Sequence, residues 1–428
     1  MALIRKSRRS GSDPEYFDKL EVRAAAKRES ALMAALPRQI AHAKRRAPGW
    51  ATILKEIDPG KIKSRKALAA LPVTRKSDLN NLQKSIPPLG GLNATPVEKL
   101  GKLFVSPGPI YEPEGRGKDW WRTARGLFAG GFRAGDRVAN TFAYHFTPAG
   151  SMLEAGAAAL GCVVVPAGTG HTEIQAAAIR DLRLNAFVGT PSFLKLIVDK
   201  ADELKIDISC LEKAQVGAEF LPPLLRKNLQ ERGMRVSQCY ASADLGLMAY
   251  ESLMPDGTVN EGMILDEGLI LEIVRPGTGD PVAAGEVGEI VITSFNPDYP
   301  LIRFGTGDLS AVLPGRSPCG RTNTRIRGWM GRADQSTKVR AMFVTPRQVE
   351  DVRRRHPEIL RARLVVEGEA GNDRMTLSCE VSGKSPGLSE AIVASIREVT
   401  KLRGEVALVD PGTLPNDGKV IEDLRKYQ

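Results

Sequence analysis

Cysteine and histidine are scarce in this chain of 428 residues, and neither type clusters. Cys162, Cys210, Cys239, Cys319 and Cys379 form no C-x-x-C pair and are odd in number, which argues against a disulfide framework and a cysteine-based zinc site. His42, His145, His171 and His356 lie far apart, with no H-E-x-x-H, and no G-x-S-x-G elbow is present, so hydrolase chemistry has little support. Aromatic residues make up 5%, too few for the stacking platforms of single-strand binders. No run of about 18 apolar residues exists, which excludes a membrane-spanning helix. The first residues are basic but lack the apolar core of a secretory signal, so the expected compartment is the cytoplasm. Internal repeats and low-complexity segments are also missing.

What is present describes a large globular protein. A hydrophobic content of 42% and a charged content of 26% are ordinary, and the length suits two or three domains with a sizeable core. The net charge of +11 suits small polyanions such as ATP and coenzyme A, or simply solubility. Nucleic-acid and membrane partners are not expected.

Residues 14–82 read as a helical, basic lead whose charged face is expected to be solvated, with Pro72 and the Ser77-Asp78 pair marking a turn and a helix cap. Residues 102–120 begin as a strand and run into a Gly/Pro-rich stretch. That stretch has no G-K-[ST], its prolines remove donors, and Glu112 and Glu114 would repel a polyphosphate, so it reads as a surface loop. From 121 to 216, helices alternate with short apolar strands, which predicts a parallel sheet covered by helices. Ligands of such sheets bind beyond the strands' C-terminal ends, marked here by Tyr144, residues 168–171, residues 190–192, residues 217–219 and residues 240–246. Residues 269–294 alternate apolar and polar around a Gly-rich turn and predict an antiparallel hairpin. Beyond residue 341 the order helix, hairpin, helix, strand predicts a compact α+β module. The fold class is therefore α/β, with a large N-terminal domain (1–333, including a lead of 1–85) and a small mobile C-terminal domain (334–428).

Between these parts lies 299–340, which holds two segments, PLIRFGTGD and GWMGRADQSTKVR, each placing an Asp beside glycines and an Arg. That is chemistry for a sugar hydroxyl pair and a phosphate. Together with LPVTRKSDL, the run from FRAGDRVANTFAY to VVVPAGTGHTEIQ, TPSFL, GAEF, YASADLG, the V-x-P-x-Q-V-E-D run and a terminal N-D-G-K-V, these segments resemble the phenylacetate–coenzyme A ligase branch of the adenylate-forming enzymes, over nearly the whole chain. The resemblance implies two half-reactions in one cleft. A carboxylate attacks the α-phosphate of ATP to give an acyl-adenylate; the small domain then swings, and coenzyme A displaces AMP.

Carried over motif by motif, Gly217, Ala218 and Glu219 would border the adenine and Tyr240 would stack on it. Ser106, Gly108, Ala241 and Ser242 would also meet the nucleotide. Asp308 would accept the ribose hydroxyls and Arg332 would reach ribose or phosphate. Asp334 would be the hinge, and Lys419 would bridge carboxylate and phosphate during adenylation. Asp244 would ligate Mg²⁺, while Tyr144, His145, Phe146 and Gly168 would line the acid pocket. The implied small molecules are ATP, Mg²⁺, coenzyme A and an aromatic or related carboxylic acid; the resemblance also implies a homodimer.

Four positions depart from the family pattern. Ser106, Gly108 and Pro113 survive in the phosphate loop, but its hydroxyls and lysine are gone and Glu112 stands in the lysine's place, an expected repulsion against phosphate. Asp244 is one methylene shorter than the usual Glu. Gly305 replaces an Arg or Lys, removing a charge, and Ala341 replaces a glycine that would line the thiol channel. These departures motivate an alternative: a paralogue that binds AMP or acyl-adenylate in an accessory or acyl-carrier role without full ligation.

Overall fold

The structure, a computed structural model, describes residues 15–106, 109–254, 257–333, 335, 337–339, 342–368, 373–383 and 385–425. Gly108, Asp334 and Ala341 lie outside the described residues.

The predicted βα alternation builds the central sheet. Strands Val163–Pro166, Arg137–Asn140, Ala186–Gly189, Lys213–Val216 and Arg235–Ser242 lie side by side in that order, all parallel. Crossover helices Thr172–Asp181 and Pro191–Glu203 turn Ala176, Ile179, Leu194 and Ile197 onto Phe187, Val216 and Val236, all buried. Past Arg235–Ser242 the sheet continues with antiparallel strands Gly246–Tyr250 and Met263–Leu265 and then Arg325–Ile326. Sequence alternation had indicated none of these.

A second sheet holds the predicted hairpin, Leu269–Val274 with Gly288–Ser294, and adds Phe304–Ser310 antiparallel to it. Its far edge is Thr74–Arg75, paired parallel with Phe304 and Gly305. The basic lead supplies more than a solvated face. Helix Ala25–Arg46 buries Leu32, Leu36, Ile40 and Ala43, whose three- and four-residue spacing forms one apolar stripe. Those side chains join Trp50, Ile270, Ile292 and Phe304 in one core. The expectation failed because the charges draw attention to the wet side of an amphipathic helix.

The 102–120 stretch is not a surface loop. Lys102–Ser106 and Ile110–Glu114 form a two-stranded hairpin, and Glu112 is fully buried. Two carboxylates at inward positions had masked the period-two pattern of a strand.

The C-terminal elements follow the predicted order. Strands Ile359–Glu367, Arg374–Val381, Glu405–Val409 and Ile421–Asp423 make one sheet, with helices Pro346–Arg354 and Leu388–Thr400 packed on it. Val349, Leu364, Leu377, Ile392 and Ile396 share a core to which, among the described residues, none before Val339 contributes. Among the described residues no helix is long and apolar enough to cross a membrane.

Candidate functional site

Asp308 is the point of convergence. It sits in strand Phe304–Ser310, beside the end of the parallel sheet where Tyr240 emerges. The Tyr240 hydroxyl donates to Asp308 Oδ2 at 2.8 Å, and Arg332 Nη1 and Trp329 Nε1 donate to Oδ1 at 2.8 and 3.1 Å. An isolated antiparallel bridge between Asp308 and Arg332 fixes this register. Gly307, at φ +74°, is required here: a Cβ would stand 2.8 Å from the Arg332 guanidinium. Burial first, then the field of Asp308, holds the Tyr240 phenol well above its ordinary pKa, so it remains a donor. Tyr240 is almost wholly buried, and its hydroxyl orients Asp308. Trp329, half-exposed beside Asp308, was overlooked, although it lies within the GWMGR segment already singled out.

Gly217, Ala218 and Glu219, which the resemblance places near the adenine, follow strand Lys213–Val216. Gly217 is buried; Ala218 and Glu219 are exposed. Ala218 adopts φ +64°, a left-handed conformation that costs a non-glycine residue roughly 1 kcal/mol. Glu219 accepts from the Ser192 amide at 3.2 Å and, through its carbonyl, from Gln238 at 2.8 Å, tying the loop to the start of helix Pro191–Glu203 and to strand Arg235–Ser242. Ala241 and Ser242 follow an irregularity in the pairing with Gly246–Tyr250, and Ser242 Oγ accepts from the Leu245 amide at 3.2 Å.

Tyr144 is partly buried and its phenol accepts from Asn140 Nδ2 at 2.8 Å; burial and the neighbouring Glu154 raise its pKa. His145 is exposed, and so is Phe146, at 75%, so neither walls a pocket in this structure. Gly168, at φ +67°, opens onto free space, and its carbonyl is held by Gln175 at 2.9 Å. A cavity of about 760 Å³ between helix Ala25–Arg46, strand Leu269–Val274 and residues 281–286 is lined by none of the residues matched to the family site.

Around the altered loop, Lys76 changes the picture. The turn before helix Leu79–Ser85 brings Lys76 Nζ to 2.6 Å from Asp244 Oδ2, and Gln83 of that helix clamps the backbone of Tyr111 at 2.7 and 2.9 Å. One short segment thus holds both Asp244 and the hairpin. Ser106 Oγ donates to Glu112. Burial first, and then the field of Asp244, raises the Glu112 carboxyl to about 7, so the expected repulsion is partly discharged by a proton. A cation also lies beside Gly305. A Cβ there would lie 3.1 Å from Arg75 Cγ, and Arg75 reaches Glu289 at 3.4 Å and the Thr278 carbonyl. In LPVTRKSDL the sequence reading rests on Pro72 and the Ser77-Asp78 pair; the two consecutive cations between them are the overlooked signal.

Lys419 does not reach the site in this arrangement. Its ammonium pairs with Glu422 at 2.7 Å and is about half-exposed. Its loop does dock nearby: Gly418 packs on Val287 and Leu309, and Gln335 holds the Gly418 carbonyl at 2.9 Å and the Ile421 amide at 2.9 Å.

Residues 119–296 match the AMP-binding enzyme family. The phenylacetate-coenzyme A ligase of Escherichia coli (strain K12) is 30% identical over 69% of this chain and 68% of that protein. The chain belongs to the phenylacetate–coenzyme A ligase family. The Thermus thermophilus phenylacetate-coenzyme A ligase is 29% identical over 91% of this chain and 95% of that protein, so the likeness runs nearly end to end. A crystal structure of an open conformation of 2-hydroxyisobutyryl-CoA ligase in complex with 2-HIB-AMP and CoA superposes with a TM-score of 0.71 at 24% identity, covering 94% of this chain and 93% of that one. At that identity the likeness establishes the α/β fold.

Proposed function

We propose that this protein is an ATP-dependent acid–coenzyme A ligase for an aromatic or related carboxylic acid. The carboxylate oxygen forms a bond to the α-phosphorus of ATP and pyrophosphate leaves. The thiol sulfur of coenzyme A then bonds to the acyl carbon, the thiol proton passes to solvent, and AMP departs.

The observation carrying this reading is the convergence of Tyr240, Trp329 and Arg332 on Asp308 beside the ends of the parallel strands. Oδ1 already takes two donors and Oδ2 takes one, and a carboxylate offers about four acceptor positions in all. Oδ2 can therefore take one ribose hydroxyl directly, and Arg332, half-exposed, can move from Oδ1 to a phosphate oxygen and free a second place. Asp244 fits a Mg²⁺ ion: its Oδ1 is buried without a partner. When bound with ATP, the ion would neutralise phosphate charge. Residues 334–428 act as a lid pivoting at Asp334, and closure must turn Lys419 away from Glu422. Tyr144 and Gly168 border the acid site, with His145 and Phe146 at its rim.

Purified protein with Mg-ATP and a panel of aryl acids is expected to release pyrophosphate and form the acyl-coenzyme A. Asp308→Ala removes charge-assisted hydrogen bonds of roughly 1.5–3 kcal/mol each, so AMP affinity should drop about 10- to 100-fold. Absence of pyrophosphate release with every acid, together with wild-type AMP affinity in Asp308→Ala, would refute the proposal.

A further inference from the structure

Glu112 and Asp244 are both almost fully buried, at 0% and 4% exposure, and the charge of Asp244 acts on Glu112. One oxygen of each is committed. Ser106 donates to Glu112 Oε1, and Lys76 donates to Asp244 Oδ2 at 2.6 Å. The remaining oxygens, Glu112 Oε2 and Asp244 Oδ1, are buried and have no partner. The hydroxyl of Tyr299, a residue 1% exposed, is also buried without a partner and lies in the field of both carboxylates. Two carboxylates against one ammonium leave one uncompensated negative charge in a dry place, which needs either a proton or a cation.

We propose that Glu112 is a second metal-binding carboxylate: Glu112 Oε2 and Asp244 Oδ1 together hold a hard divalent cation, Mg²⁺ or Mn²⁺, with the Tyr299 hydroxyl as a further polar group at the site. The proposal deepens the ligase reading and rests on its assignment of Asp244. An all-oxygen set selects Mg²⁺ or Mn²⁺ over zinc or copper. Among the described residues no group of three acidic, His or Cys side chains gathers, so the chain offers too few ligands for a Ca²⁺ cage. Two carboxylates plus water and substrate phosphates is the usual protein share of a Mg²⁺ site. On this reading the change from lysine to Glu112 exchanges a fixed positive charge for a carboxylate that recruits a mobile one, and the loop keeps a means of meeting phosphate.

The test is uptake of Mn²⁺ by the full-length protein, read from the loss of the free-ion electron paramagnetic resonance signal. Wild type is expected to take up one ion, and Glu112→Gln and Asp244→Asn should each weaken uptake at least tenfold, with Tyr299→Phe weakening it two- to threefold. If Glu112→Gln does not fold, as judged by circular dichroism, Glu112→Lys replaces it in the same titration with the same expected loss. No uptake by wild type, or unchanged uptake by the Glu112 variant, overturns the proposal; a proton then neutralises the pair. AMP binding by wild type in chelator, followed by calorimetry, tests the nucleotide reading separately, because it needs neither carboxylate nor metal.

Discussion

Glu112 is held in a setting that prefers its protonated form, and that preference has a measurable cost. Its folded pKa of about 7 lies above the ordinary 4.5, so between these values the native state binds more protons than the unfolded one. Stability must then fall as pH rises through that window, by roughly 3 kcal/mol once pH exceeds 7. Glu112→Gln keeps the shape without the charge. In chelator, urea midpoints of wild type and variant should nearly coincide at pH 5, and the variant should be the more stable at pH 8. A constant difference across that range would mean that Glu112 is not buried as described. Tyr240 offers a second check at the same scale. Its phenol gives Asp308 one of its three donors, and losing one such bond costs about 1 kcal/mol. Tyr240→Phe should therefore weaken AMP binding about fivefold in calorimetry with little change in melting temperature. A loss as large as that of Asp308→Ala would instead assign the ring a direct contact with the nucleotide.

Among the elements, strand Phe304–Ser310 is fastened by the residue at its start. Arg303 is 1% exposed; its guanidinium meets Glu272 at 2.9 Å and donates to the carbonyls of Ala69, Leu71 and Gly279. It thereby ties the lead and the 276–286 turn to the strand that carries Asp308. Arg303→Leu leaves Glu272 buried and unpaired, so unfolding free energy should drop by about 3–5 kcal/mol in urea melts; a drop below about 1 kcal/mol would contradict this role. The sequence made the strand visible, and with it Asp308 and Arg332, because glycines and charges punctuate it. The parallel strands were equally plain, since burial on both faces leaves short apolar runs. What stayed hidden depends on contacts distant in sequence. Helix Pro223–Glu231 buries only Leu229 and so shows no apolar stripe. The short antiparallel strands past Arg235–Ser242 are set by their partners, and the cations Arg75 and Lys76 gain meaning only from Glu289 and Asp244, more than 160 residues away.

For the whole molecule, the question is what the C-terminal part does while docked as it is here. Gly418, at φ +72°, lies so close to Val287 that a Cβ would meet it at 2.4 Å, and Gln335 grips the loop from the connecting segment. This docking brings Gly418, the residue before Lys419, beside Leu309, itself one residue from Asp308, yet the Lys419 ammonium is spent on Glu422. That pair is partly exposed and worth little, so releasing the lysine costs no more than about 1 kcal/mol. A lid that presents Lys419 for one half-reaction and withdraws it for the other predicts a split in kinetics. Lys419→Ala should slow pyrophosphate release by about 10²–10³, the loss expected when one charge-stabilising group is removed. The same variant, supplied with preformed acyl-adenylate and coenzyme A, should make thioester within about threefold of the wild-type rate, because that step breaks no bond to pyrophosphate and needs no cation between carboxylate and α-phosphate. Stopped-flow measurement of the two half-reactions separates these outcomes. Equal slowing of both would place Lys419 at the site throughout, and the moving lid would have to be abandoned.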